Sequence, residues 1–195
     1  REDAFRLFTI LNNRGIPLTN ADILKSINIG EIENNGNKYA RIWEEIEGEL
    51  GDDFDRFLSF VRTILVKEKQ RANLLEEFEE QVYKKGLLNK GIDTIQYIQN
   101  YKHVYDNLIL FKDTELPNDF KNLITIMLIG LPSDDWIPSL MYYYRKFGKN
   151  DLTTFLKKLE YKFVSDWILQ FTSTQRLDNM NKILLRNLSR LKITN

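Results

Sequence analysis

The chain has 195 residues, 43% of them hydrophobic and 12% aromatic, which supplies material for a sizeable core and argues against disorder. It has no cysteine, so disulfides and thiolate chemistry are excluded, and it has no apolar run near the roughly 18 residues a membrane helix needs. The formal net charge is zero but unevenly spread: residues 31–80 hold 14 acidic and 7 basic side chains, and residues 140–195 hold 11 basic and 4 acidic. Such asymmetry fits a basic, nucleic-acid-facing part, and equally fits two ends that complement each other within one protein.

In chain order, Ala4, Leu7, Phe8 and Leu11 form one apolar stripe at helical spacing. Asn12, Asn13 and Gly15 stop that helix, Pro17 bars a simple continuation, and Thr19 with Asp22 opens a second in the capping-box arrangement. Ile23, Leu24 and Ile27 give the second helix its buried face. Gly30 to Asn37 reads as a polar loop. A helix follows on Tyr39, Ile42, Trp43, Ile46 and Leu50, and the next carries Phe54, Phe57, Leu58, Val61, Ile64 and Leu65 with Asp52 or Asp53 as its cap.

Lys67 to Arg71 is a charged connection, and Leu74, Leu75, Phe78 and Val82 make a helix closed by Gly86. Ile92 to Phe111 is a long helix containing the only histidine, His103, which lacks a nucleophile or second histidine as partner and reads as a surface or packing residue. Lys112 to Asn118 is the clearest break. Phe120 to Leu131 is expected to be a buried helix. Asp134 or Asp135 caps the next helix, with Pro138 in its first turn, Tyr144 on its core face and Gly148 at its end. Asn150 starts a long helix through Trp167 and Ile168, and Ser173 or Thr174 starts the last.

The expected fold is all-α, an irregular bundle of about nine helices, with subdomains at 1–111 and 112–195 that would also pack as one domain.

The order Phe8, Asn12, Arg14, Gly15, Leu18, Asp22, Lys25 resembles a block in the N-terminal domain family of GmrSD-type, modification-dependent restriction enzymes. The likeness continues more weakly around Trp43 and through the last two long helices. Members of that family are similar to ParB-type proteins upstream of the block, where an Asp-Gly-Gln-Gln-Arg motif is associated with nucleotide hydrolysis, and many carry an HNH nuclease domain downstream. This chain has neither the motif nor the histidines of an HNH domain, and it opens at Arg1 with the helical pattern under way. The resemblance therefore implies the helical part of a larger prokaryotic, cytoplasmic phage-defence protein. It is expected to be no enzyme and to hold no cofactor by itself. The parent would be a nucleotide-dependent DNA endonuclease that uses a nucleoside triphosphate. The expected partners are the ParB-like and HNH domains of the same protein, and DNA.

Two groups of residues carry the functional expectations. At the turn, the Arg14 guanidinium beside Gly15 offers a planar fork for phosphate oxygens, and the following helix start presents N–H donors near Thr19 and Asn20. Lys25 could reach a phosphate or Asp22, and the plain alternative is a capped hairpin with a surface ion pair. The resemblance implies that Asn12, Arg14, Gly15, Asp22 and Lys25 form the edge of a nucleotide site. In the basic C-terminal part, Arg145, Lys146, Lys149, Lys157, Lys158, Arg186 and Arg190 could contact DNA phosphates, although lysines at helical spacing are also the solvated face an amphipathic helix needs. A non-catalytic, protein-binding helical scaffold is the other reading.

Overall fold

Thr19 and Asp22 start the first helix as their spacing predicts. In the computed structural model, which describes residues 18–191 with side chains through residue 184, α1 spans Asn20–Gly30 behind a complete capping box. It is followed by α2 (Gly36–Leu50), a 3₁₀ turn at Gly51–Asp53 and α3 (Phe54–Val66). Asp52 and Asp53 lie within the 3₁₀ turn, where Asp53 holds Arg56 at 3.1 Å. Asn73 caps the short α4 (Leu74–Glu77), accepting the Glu76 N–H at 2.9 Å, and the chain continues as a π-helix over Phe78–Tyr83.

Next come α5 (Ile92–Leu108), α6 (Asn118–Gly130), α7 (Ile137–Phe147), α8 (Leu152–Ile168) and α9 (Ser173–Leu191). Every regular element among the described residues is helical, with eight long helices where about nine were expected. The Leu74–Tyr83 segment is one α turn passing into a π turn, and the helix expected around Leu7 lies outside the described residues.

Two compact units emerge. The first takes the described residues up to Val66 with Gln70–Asn100, and the second takes Lys67–Lys69 with the residues from Tyr101 onward. The division thus falls inside α5, ahead of the expected break at residues 112–118. That segment is bound into the second unit: Leu116 is buried, Lys112 pairs with Asp106 at 2.9 Å, and Lys149 pairs with Asp113 at 2.9 Å.

In the first unit, α1 and α3 pack with α2 and the α4/π segment around Leu24, Trp43, Phe57, Leu58 and Phe78, all essentially inaccessible. Trp43 meets Phe54 edge-on, with ring centroids 5.5 Å apart, a favourable quadrupole geometry. An internal ion pair joins α3 to α4: the Arg62 guanidinium donates to Glu77, whose other oxygen accepts the Arg71 and Ala72 N–H groups at 2.7 and 2.9 Å.

In the second unit, α8 is the central element and packs with α6, α7 and α9. Tyr143, rather than the expected Tyr144, enters this core. It stacks on Phe155 at 3.9 Å and donates its hydroxyl to the Asn150 carbonyl, while Tyr144 is half-buried with its hydroxyl on Asp113. The expected buried helix at Phe120–Leu131 is a helix buried on one face only. Phe120, Ile124 and Met127 point inward, and Ile126 and Ile129 are 65% and 82% exposed.

Pro138 sits in the first turn of α7 as expected, but Trp136 stands at the cap position, and Asp135 instead pairs with Arg176 at 3.3 Å. α9 starts at Ser173 as expected, behind a reciprocal cap made by Thr172 and Gln175. No described helix is long and apolar enough to cross a membrane.

Candidate functional site

The α1 helix carries the described end of the family-like block. Asp22 Oδ2 accepts the Thr19 N–H at 2.8 Å and the Thr19 hydroxyl at 2.9 Å, while Thr19 Oγ1 accepts the Asp22 N–H at 3.1 Å. The positive end of the helix dipole is therefore already faced by a carboxylate. Lys25 bonds Glu44 of α2 at 2.9 Å and does not take Asp22 as its partner.

Two further carboxylates feel this group. Burial first, and then the charge of Asp22, push Glu47 above the usual glutamate range against the opposing pull of Lys25, and the same two causes raise Asp55. Among the described residues, an incoming phosphate at this face would meet Asp22, Glu44, Glu47 and Asp55 beside the ammonium of Lys25. Among the described residues no cluster has the makings of a metal site. Asn12, Arg14 and Gly15 lie outside the described residues.

On another side of α1, a cleft of about 800 Å³ opens between α1 and the α4/π segment. Ile23, Ile27 and Leu75 give it an apolar floor, and Glu31, Glu76, Glu79, Glu80, Lys84 and Lys90 form its polar rim. Lys90 pairs with Glu79 at 2.8 Å, and Lys84 pairs with Glu80.

One end is fastened by Asn28, buried within α1. Its side-chain carbonyl accepts the Gly91 N–H at 2.9 Å, and its amide donates to the Leu24 carbonyl at 2.7 Å and to the Tyr83 hydroxyl at 3.0 Å. Burial pushes the Tyr83 phenol up to about 12. Gly91 has φ +87°, a left-handed backbone conformation that favours glycine, while a Cβ there would make only ordinary contact, 3.5 Å from Glu31 Cβ.

Sequence reasoning missed this cleft. It saw residues 30–37 as a polar loop and placed Leu74, Leu75, Phe78 and Val82 on a helix within the acid-rich stretch 31–80. The signal available was the alternation of acidic residues with the apolar positions of LLEEFEE beside the exposed Gly30.

The basic residues of the second unit are scattered over several helices. Arg145 and Lys146 are exposed in the last turn of α7, where cations complement the helix dipole. Lys149 bridges Asp113 and Glu115 at 2.9 and 2.7 Å, which raises its own pKa and helps hold the Asp113 carboxyl below its usual range. Lys157 lies 3.8 Å from Asp119, and Lys158 is exposed next to it. Arg186 and Arg190 belong to α9, with side chains outside the described ones. Of these, Arg145, Lys146 and Lys158 have no acidic partner among the described residues.

Comparison with protein-family models, with curated proteins and with solved structures finds no match for this chain.

Proposed function

We propose that this chain is a non-catalytic helical module of a GmrSD-like restriction protein, coupling an upstream nucleotide site to a downstream nuclease. The observation that carries the reading is the ordered block from Phe8 to Lys25. The geometry of α1 divides the labour within it. Asp22 is spent on the cap and Lys25 on Glu44, so in this reading they hold α1 in place. Contact with the nucleotide falls to Asn12, Arg14 and Gly15, where a guanidinium beside a glycine suits phosphate.

DNA contact, where this module makes it, is electrostatic and indifferent to sequence. It draws on Arg145, Lys146 and Lys158, with Arg186 and Arg190. Lys149 contributes less, because Asp113 and Glu115 already neutralise it. The test is Arg14→Ala in the complete protein. Nucleotide-dependent activity should fall while the melting temperature stays in place, and equal loss of both would assign the turn to the fold alone.

A second reading, a protein-binding scaffold, is favoured by the exposed Ile126 and Ile129 on α6 and by Ile168 and Leu169 at the end of α8, each at least 64% exposed. Binding through these apolar side chains would persist at high salt, where DNA binding would be lost.

A further inference from the structure

We propose that the cleft between α1 and the α4/π segment is a docking groove for an amphipathic helix with basic flanks, presented by a partner protein. This does not rest on the nucleotide reading: of the described block residues, neither Asp22 nor Lys25 lines the cleft.

The dimensions fit first. The lining residues of α1 run from Ile23 to Gly30, about 10 Å along the helix axis, which matches anchor side chains at i, i+3 or i+4, and i+7 of an incoming helix. A cleft of about 800 Å³ holds several large apolar side chains, and the half-buried Ile27 and Leu75 provide the surface they would cover. Gly30 lines the groove, and a Cβ built there meets nothing within 4 Å, so a larger side chain can be introduced at that position.

Charge then selects the partner. Glu79 is answered by Lys90 and Glu80 by Lys84, which leaves Glu31 and Glu76 without a cationic partner among the described residues. The described rim, with four glutamates and two lysines, is therefore net negative, and a helix flanked by lysine or arginine is favoured over an acidic one. The groove is also preformed. Asn28 fastens α1 to Tyr83 at the end of the π-helix and to Gly91, so little ordering is required when the partner docks.

The probe is a synthetic helical peptide with leucines at i, i+3, i+4 and i+7 and lysines on both flanks, titrated into the 195-residue chain by calorimetry. The comparators are the same peptide with glutamates for lysines, and spermine as a cation without an apolar face. Gly30→Trp fills the groove from a position with open space, and Glu31→Lys with Glu76→Lys reverses its rim. Circular dichroism melts confirm that these variants fold.

The lysine peptide should bind with Kd of about 100 µM or tighter, and each variant should weaken it at least about tenfold. The glutamate peptide and spermine should bind far less. No binding at about 1 mM peptide, equal binding to the Gly30→Trp variant, or full competition by spermine would each overturn the proposal.

Discussion

Lys25 reaches across from α1 to Glu44 of α2, 2.9 Å away, and leaves Asp22, three residues earlier on its own helix, to the cap of that helix. That choice turns two residues of a suspected ligand block into fastenings of the helix. It predicts a graded response to substitution. Asp22→Ala, which deletes half of a reciprocal cap, should lower stability by about 1 kcal/mol. Lys25→Ala breaks a partly exposed pair and should cost about 0.2–1 kcal/mol. Denaturant melts of the two variants beside Arg14→Ala measure this directly, and Arg14→Ala is expected to leave the midpoint unchanged.

A larger effect belongs to Glu77. Arg62 and Glu77 are 2% and 4% exposed, and Glu77 also accepts two backbone N–H groups from the chain entering α4. Removing one member of a buried pair leaves an uncompensated charge, so Glu77→Ala should destabilise by about 3–5 kcal/mol. The double variant Arg62→Leu with Glu77→Leu should be less damaged than either single one. Urea unfolding of all three provides the comparison.

The same residue sets an acid limit. Burial raises the Glu77 carboxyl, but the Arg71 and Ala72 N–H groups and Arg62 outweigh it, and the net displacement is downward from the ordinary 4.5. A depressed folded value means that its contribution is complete above the unfolded value and is lost as pH falls through the folded one. Glu47 and Asp55 act the other way. Their raised values mean a destabilising charge at neutral pH, relieved as pH falls through their folded values. Stability should therefore rise slightly from neutrality towards the upper carboxylate range, then fall below about 4.5. Glu47→Gln should remove part of the rise, as thermal melts against pH will reveal.

Asn28 and Tyr83 give an alkaline counterpart. With its phenol pushed up to about 12, Tyr83 stays protonated in the fold after the unfolded chain has begun to ionise near 10. Stability should decline as pH rises past that point. In a spectroscopic titration of the nine tyrosines, one late-ionising component should disappear in Tyr83→Phe. Asn28→Leu, which leaves the Gly91 N–H without its acceptor, should cost about 1–3 kcal/mol.

Much of this fold was legible in the sequence because its helices carry explicit punctuation. Thr19 with Asp22 and the glycines 86 and 148 at φ +65° and +61° mark boundaries by local chemistry, which needs no tertiary knowledge. Spacing likewise put Trp43, Phe57 and Leu58 in the core. It failed where several faces of one helix are apolar. Nothing local distinguishes Tyr143 from Tyr144, or Ile124 from Ile126, and the choice depends on where α8 lies.

The site was less legible still. An i, i+3 pair such as Asp22 and Lys25 is plausible on a helical wheel, but Glu44 competes from 19 positions away. The cleft is built from residues 23–31 and 73–90, two segments joined only by the folded chain. The π turn at Phe78–Tyr83, which aims Tyr83 at Asn28, has no sequence signature of its own.

The measurement closest to the central claim is to determine the coding sequence on both sides of this segment. The account predicts an Asp-Gly-Gln-Gln-Arg codon run upstream and an HNH-type pattern of histidines and asparagine downstream, in one reading frame with these 195 residues. A start codon immediately before Arg1 and a stop immediately after Asn195 would contradict it, since neither the nucleotide site nor the nuclease would be there to couple.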